Sequence, residues 1–316
     1  MGTKYSVVIP LYNKEECIEK TIQSVLAQTV SDFEIVVVND GSKDQGVAVV
    51  KAIDDERIRV ISQENQGVSA ARNTGIRNAK GQYVCFLDAD DLWKVDFLET
   101  VDGLIEEFPM AKVFCPSYEV SYGKRMIVPE WRSVDLQHDS LVSDFFEMAT
   151  ASFWVTHSSS TVVSKDTLDE MDTLFPVDEK VYEDLDFWIR LGSRVKVAHS
   201  NKVCGTYIRI SPNNARKAHA QKEVYSKTFM STLAQLIASP DVTVQQVEWI
   251  REIRDRRMVP YVFSLLCVKR RKEAQKVLKE WKPVMVYKKY RACLTIMSCF
   301  PHPLISLIQT IRYHVF

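Results

Sequence analysis

The chain has 316 residues, 46% of them hydrophobic and 26% charged, with 41 Lys/Arg balanced by 41 Asp/Glu. That composition excludes a disordered or collagen-like chain and allows one large core or two units. The zero net charge hides two unequal ends: residues 1–249 carry 26 basic and 37 acidic residues, residues 250–316 carry 15 and 4. So basic a tail suggests that one end faces an anionic surface. The seven scattered cysteines include no C-x-x-C pair. Neither a zinc site nor a disulfide framework is indicated, and a reducing compartment is expected. No apolar signal region precedes the first strand.

Residues 5–10 predict a strand closed by Pro10, which lacks a backbone donor. Ile18, Ile22, Val25 and Leu26 recur at helical spacing within 14–28. Residues 33–38 form a second, β-branched strand, and Asn39-Asp40-Gly41-Ser42 turns it into a helix over 44–53. A third strand is expected at 57–62. The helix over 68–79 carries Ser69, Ala70 and Ala71, small enough for close packing on a sheet. The apolar run 83–87 alternates too little for a surface strand and reads as buried in a parallel sheet. Four strand–helix alternations in about 90 residues imply right-handed crossovers. From 108 onward the pattern loosens. Strands are expected at 112–120, 126–128, 161–163, 195–198 and 203–209, and helices at 141–149 and 181–191. Almost continuous helix follows, giving a catalytic α/β unit over 1–215 and a helical region over 216–316.

Three carboxylates, Asp88, Asp90 and Asp91, follow the fourth strand at its carboxyl end, where open α/β sheets bind ligands. Like charges so close repel unless a cation is present. Asp88 and Asp90, two apart, can turn toward one ion, and carboxylates with diphosphate oxygens suit Mg2+ or Mn2+. Standing alone, Asp90 or Asp91 would more often cap a helix opening at Leu92; the neighbouring motifs favour the cation. Tyr12, at the tip of the first strand, can offer a ring face to a base. Asp40 can accept the imide N–H of uracil or thymine, with a turn-forming role equally open. No G-x-G-x-x-G and no G-x-x-x-x-G-K-[ST] occurs, which argues against nicotinamide, flavin and P-loop proteins. Arg72 can reach a pyrimidine edge or a phosphate. Glu183-Asp184 opens a helix whose Leu185, Trp188, Ile189 and Leu191 would bury one face. In a cleft, a raised pKa would suit Asp184 as a general base.

The ordered set Pro10-x-Tyr12-Asn13, Asn39-Asp40-Gly41-Ser42, Ala71-Arg72-Asn73, Asp88-x-Asp90-Asp91 and Glu183-Asp184 resembles the family 2 inverting glycosyltransferases, over roughly residues 4–210. The resemblance implies the GT-A fold, a Rossmann-like, mostly parallel sheet flanked by helices. It also implies a nucleotide-diphosphate sugar donor, a UDP-sugar first, and a hexosyl- or N-acetylhexosaminyltransferase of the bacterial cell-surface polysaccharide type. Pro10, Tyr12, Asn13, Asp40 and Arg72 would then surround the nucleotide, Asp88 the ribose or metal, and Asp90 the metal and diphosphate. Asp184 would deprotonate the acceptor hydroxyl, and one displacement would invert the anomeric carbon without a covalent intermediate. Glu183, Asp91 and His157 are candidate sugar or acceptor contacts, as is Trp154. The family often carries Tyr-Arg with a following His and Ser. Here Tyr207-Ile208-Arg209-Ile210-Ser211 departs from that, leaving Arg209 and His219 without an assigned role. The lack of a Gln-x-x-Arg-Trp motif favours addition of a single sugar. A catalytically silent sugar-nucleotide-binding or membrane scaffold protein is the alternative, against which both acidic elements argue. A nucleotidyltransferase would show a glycine-rich loop where Pro10-Leu11-Tyr12-Asn13 stands.

In the tail, Lys269-Arg270-Arg271-Lys272 and Lys288-Lys289-Tyr290-Arg291 flank helices. Residues 292–311 contain no Asp, Glu, Lys or Arg, at about the length of a membrane span. Pro301-His302-Pro303 breaks that run. An interfacial or re-entrant hairpin with basic anchors is expected, the alternatives being a tail packed on the catalytic unit or a homodimer contact. Such docking would suit a lipid-linked or surface-glycan acceptor. It would place the protein in the cytoplasm, peripheral at the inner face of the cell membrane. Nucleic acid is not an expected partner, because the basic residues lack the aromatic platforms of a recognisable module.

Overall fold

The computed structural model describes residues 3–135, 137–151, 154–209, 225–300 and 305. The chain divides into two compact units, Met1–Asn214 and Ala215–Phe316. The expected change of character at 215/216 lies outside the described residues.

In the first unit, β1 (Tyr5–Leu11), β2 (Phe33–Asp40), β3 (Ile58–Gln63) and β4 (Tyr83–Phe86) lie parallel in the order β3-β2-β1-β4. The crossovers are α1 (Ile18–Leu26), α2 (Gly46–Lys51) and α3 (Val68–Asn78). Continuous Val/Ile runs suit β1 and β2 because a parallel sheet is covered on both faces. Beyond β4 come β5 (Leu92–Trp93), α4 (Phe97–Glu107), β6 (Ala111–Tyr122), β7 (Arg125–Ile127) and β8 (Ser140–Leu141). Then follow α5 (Phe145–Ala149), β9 (Val162–Ser164), α6 (Lys165–Asp169), α7 (Glu183–Gly192) and β10 (Lys196–Ile208). The sheet continues β4-β9-β6-β10-β5 with antiparallel and parallel pairs mixed. This is the α/β, GT-A architecture that the motifs implied.

The chain builds outward through β1, β2 and β3, then returns to the other side of β1 for β4. Ligands bind such sheets in the crevice at that reversal. Pro10 helps open it. β1 runs past the proline, pairing Pro10 with Val38 and Leu11 with Asn39, whereas the sequence predicted an end to pairing. Leu87 N–H donates to Val8 O at 3.2 Å, so Val8, and Pro10 two residues on, turn their backbone toward β4. Pairing with β4 stops at Val8 and Phe86. The missing donor of Pro10 therefore falls beyond the last β4 pair, where the two strands part.

Several elements differ from expectation for local reasons. The predicted helix over 14–28 is shorter, because Glu15 N–H is drawn to Asp44 Oδ2 at 2.9 Å and Lys14 to the acidic loop. The expected helix over 141–149 splits into β8 and α5, since Asp144 accepts from the Phe146 and Glu147 N–H groups and starts the helix there. The two expected strands at 195–198 and 203–209 are one strand, β10, with register shifts around Ser200–Val203 and Val203–Gly205. Leu92 opens no helix. Leu92 and Trp93 instead pair with Thr206 and Gly205, and the Trp93 ring stacks on Phe97 at 3.9 Å.

The second unit contains helices Lys227–Ala238, Val244–Cys267, Arg271–Glu280 and Lys288–Met297, with a 3-10 turn at Met285–Tyr287. Thr243 and Gln246 form a capping box. Tyr261, Leu265, Leu278, Trp281, Leu294 and Ile305 share an apolar cluster. Of the apolar run 292–311, only 292–300 and 305 are described; Pro301-His302-Pro303 and the hairpin expected there lie outside. Among the described residues, no helix is long and apolar enough to cross a membrane.

Candidate active site

The loop after β4 is the hub. Lys14 Nζ lies 2.5 Å from Asp90 Oδ2, and Arg72 Nη2 donates to Asp88 Oδ1 at 2.7 Å. Two protein cations thus neutralise two of the three clustered carboxylates. Asp91, expected among the sugar or acceptor contacts, is turned into the core at 1% exposure. Its Oδ1 accepts the Ile208 N–H of β10 at 2.7 Å, and its Oδ2 accepts the Ser159 hydroxyl. Ser159 Oγ also accepts the Asp88 N–H at 3.1 Å. Thr21 Oγ1 donates to the carbonyls of Ala89 and Asp91 at 3.0 and 2.9 Å. Burial, then the Asp88 and Asp90 charges, pushes the Asp91 pKa well up.

Arg72 joins this loop to α7. It is only 4% exposed, and its Nη1 lies 4.0 Å from Glu183 Oε1. Burial works against its charge, but Asp88, Glu183 and Asp184 outweigh it and keep the guanidinium protonated. Among the described residues, its Nε and Nη1 are buried without a hydrogen-bond partner. Two orphaned donors in such a place suit an incoming anion or carbonyl. The next residue, Asn73, straps the loop before α7. Its Nδ2 donates to Phe175 O at 2.8 Å, and its Oδ1 accepts Phe175 N–H at 3.0 Å. The Phe175 ring lies 5.3 Å from the Arg72 guanidinium. Tyr182, just ahead of Glu183, has φ 62°, a left-handed conformation that costs a tyrosine about 1 kcal/mol.

Glu183 and Asp184 therefore enter from α7 against Arg72 and Asp88. Burial first, then Asp184, raises Glu183 to about 7. Burial raises Asp184 too, although Arg72 and the Leu185 N–H oppose it. A carboxylate made more basic by dry surroundings is a better proton acceptor near neutral pH.

At the β1–β2 end, Asp40 is buried and its carboxylate organises the loop before α3. Oδ1 accepts Gln63 Nε2 at 2.8 Å and Gln66 N–H at 2.9 Å, while Oδ2 accepts Gly67 N–H at 2.8 Å. Gly67 has φ 90°, which glycine adopts without steric cost. Oδ2 keeps a lone pair for one further donor. Asn13 bonds across to the next loop, accepting Lys43 N–H at 2.8 Å and donating its own N–H to Ser42 Oγ at 3.2 Å. Tyr12 is 45% exposed.

His157 sits between Tyr118 and Tyr207, with ring centroids 4.9 and 4.3 Å away. Its Nδ1 accepts Ser159 N–H at 3.2 Å, which leaves the proton on Nε2. Burial, then Arg72 and Arg209, holds it neutral, with a pKa down near 3. Trp154 is buried; its carbonyl accepts the Tyr118 hydroxyl at 2.9 Å.

Sequence reasoning missed Lys14, Ser159 and Phe175. Lys14 directly follows the Pro10-x-Tyr12-Asn13 motif, so its place next to the site was readable, though its partner was not. Ser159 and Phe175 lie in irregular chain with no periodicity to flag them.

Among the described residues, no group of three His, Cys, Asp or Glu side chains forms a ready-made metal cage. The donor set still fits a hard divalent cation held jointly with a substrate. Asp88 Oδ1 and Asp90 Oδ2 meet Arg72 and Lys14, so each carboxylate keeps its second oxygen. Mg2+-type sites commonly combine one or two carboxylates with substrate phosphates and water.

The glycosyl transferase family 2 profile matches residues 6–160. The uncharacterized glycosyltransferase EpsJ of Bacillus subtilis is 42% identical over 126 residues, 39% of this chain and 37% of that protein. The shared stretch is thus well under half of either. S. aureus TarS 1–349 in complex with UDP-GlcNAc superposes with a TM-score of 0.70 at 19% identity, over 96% of this chain and 90% of that 1–349 chain. The Pyrobaculum calidifontis mannosyltransferase PcManGT in complex with GDP-Man and Mn2+ gives 0.56 at 17%, over 98% and 87%. With residues 6–160 matched, and with the acidic loop, Arg72 and the α7 carboxylates gathered at the edge where β1 and β4 part, this chain carries a glycosyl transferase family 2 segment and has the GT-A fold.

Proposed function

We propose that this protein moves a sugar from a UDP-sugar to a hydroxyl of a lipid-linked or surface glycan, with inversion and with a divalent metal. The observation that carries the proposal is Arg72, which touches Asp88 and lies beside Glu183 while holding two orphaned donors. One buried cation thereby ties the donor-side acids to the base-side acids at the switch-point edge. Tyr12 offers a face to uracil, and Asp40 Oδ2 accepts its imide N–H. Lys14 and Arg72 meet the negative charge of the diphosphate, and Asp88 and Asp90 would hold Mn2+ or Mg2+. When bound, the metal neutralises the diphosphate and improves it as a leaving group. Asp184 takes the proton of the acceptor hydroxyl as that oxygen attacks the anomeric carbon from the opposite face. The raised basicity of Asp184 suits that task, and His157, held neutral, offers an Nε2–H to a sugar or acceptor hydroxyl. TarS with UDP-GlcNAc and PcManGT with GDP-Man and Mn2+ support the donor class and the metal.

The test is a panel of uridine, guanosine and thymidine diphosphate sugars, scored for thermal stabilisation with and without Mn2+ and then for transfer or donor hydrolysis. UDP-sugars should stabilise most, and more with metal. Asp90→Asn should abolish the metal-dependent part while leaving the protein folded. Preference for another nucleotide would overturn the donor. Stabilisation equal with and without metal, and full activity in a chelator, would overturn the metal.

A further inference from the structure

We propose that the second unit carries a docking surface for an anionic lipid membrane, formed by the turn Met285–Tyr287 and the outward face of helix Lys288–Met297. The surface belongs to the second unit, shares no residue with the donor site and needs no nucleotide to act.

The turn presents apolar side chains to water. Met285 is 76% exposed and Val286 59%. They are not loose ends: on one side Val284 N–H donates to the buried Asp255 Oδ2 at 2.7 Å, and on the other Tyr287 is buried in the cluster. The helix that follows is anchored on one face only. Leu294 and Ser298 are buried, and Arg291 Nε donates to Leu278 O at 2.9 Å. The opposite face, by helical spacing, carries Lys289, Ala292, Cys293 and Ile296. All four are exposed, Ile296 at 60%. A two-residue apolar knob thus runs into an apolar helix face.

The charges carried by its own segment have one sign. Lys282, Lys288 and Lys289 are exposed, and no Asp or Glu occurs after Glu280. Lys289 Nζ lies 5.2 Å from the ring of the half-exposed Tyr290. Lysines with long apolar stems, a tyrosine and protruding Met, Val and Ile form the composition that settles at a lipid headgroup boundary. Phosphate headgroups meet the lysines while the acyl region takes the apolar side chains. A free phosphate or a nucleic acid would satisfy the lysines and leave Met285, Val286 and Ile296 in water. Among the described residues no helix is long and apolar enough to cross a membrane; the proposed surface is one that lies on it.

The full chain is sedimented with vesicles of phosphatidylcholine alone and of phosphatidylcholine with about one-third phosphatidylglycerol, without nucleotide or metal. The expected result is co-sedimentation with the anionic vesicles only, weakened by salt. Each lysine near such a surface adds roughly a fivefold gain in partitioning, so Lys282→Gln/Lys288→Gln/Lys289→Gln should lose roughly a hundredfold. Met285→Asp/Val286→Asp should lose binding while keeping the nucleotide-induced thermal shift. All five positions are exposed, and the lysine variant removes no buried atom, so one of the two variants remains readable if the other misfolds. The proposal is overturned by absent vesicle binding, or by equal binding of wild type and both variants. It is also overturned if wild type is a dimer that Met285→Asp/Val286→Asp splits, with no affinity for vesicles, since the surface would then be a protein contact. None of these outcomes touches the donor-site reading, which is measured by nucleotide stabilisation.

Discussion

Arg72, Asp88, Glu183 and Asp184 show how much a single residue's role depends on its neighbours. Each was named from its motif, because the motifs occur together in one order; a lone carboxylate at a helix start is more often a cap. What the motif could not supply was pairing. Lys14 on Asp90 and Asn73 on Phe175 are long-range contacts, and no local periodicity encodes them. Asp91 reads like its two neighbours in the sequence, yet it is spent on Ile208 and Ser159. The two α7 acids should separate kinetically. Asp184→Asn should lower kcat about 10²–10⁴-fold with the fold intact, and Glu183→Gln should lower it far less; equal losses would mean that the base is shared. Glu183 also makes a pH prediction. Its pKa of about 7 in the folded protein exceeds the ordinary 4.5. Between those values the folded protein keeps a proton that the unfolded chain has released. Its contribution is therefore most favourable below about 4.5, declines as pH rises to about 7, and levels off above. Without ligands, wild type should lose roughly 2 kcal/mol more stability between pH 5 and 8 than Glu183→Gln. Parallel melting curves for the two proteins across that range would refute the burial argument.

Elements were most legible where both faces of a strand are covered and the apolar run is unbroken, as in β1, β2 and β4. They were least legible beyond 108, where β10 bends through bulges and β5 is two residues long. α3 lies between these cases. Its small residues signalled close packing, but the point of closest approach is Gly75, where an added Cβ would stand 2.1 Å from Val8 Cγ1. That contact sets how deep α3 sits on β1 and how far Arg72 reaches toward Asp88. Gly75→Val should therefore destabilise by about 1–3 kcal/mol through overpacking and weaken nucleotide binding through Arg72. A variant with wild-type melting and wild-type nucleotide affinity would show that the helix adjusts freely. Asp91→Ala tests a second joint between elements. It leaves the Ile208 N–H without its acceptor and frees Ser159, at a cost of about 1–3 kcal/mol. If Asp91 only ties the loop to β10, Asp91→Asn should recover part of that loss, since an amide oxygen can still accept the Ile208 N–H.

Over the whole molecule, acidic and basic residues are sorted between the two ends of the sequence, and each compact unit keeps its own core. In the second unit the arrangement centres on one buried carboxylate. Asp255 accepts Trp281 Nε1 at 2.8 Å and Val284 N–H at 2.7 Å, and Arg254 Nη2 lies 2.8 Å from it. Helix Val244–Cys267 is thereby fixed to the segment that carries Met285. No periodic signal marked Asp255, because an acid set among the arginines of that helix reads as a surface residue. Removing it strands a buried indole N–H and a backbone N–H and takes the carboxylate from Arg254, at a cost of about 3 kcal/mol. Asp255→Ala should thus lower the melting temperature of the apo protein in calorimetry. Since all three partners lie within Ala215–Phe316, addition of UDP with Mn2+ should still raise the melting of the nucleotide-binding unit as it does in wild type. Loss of the nucleotide-dependent shift at a temperature where the variant is folded would mean that Asp255 serves the donor site as well as its own unit.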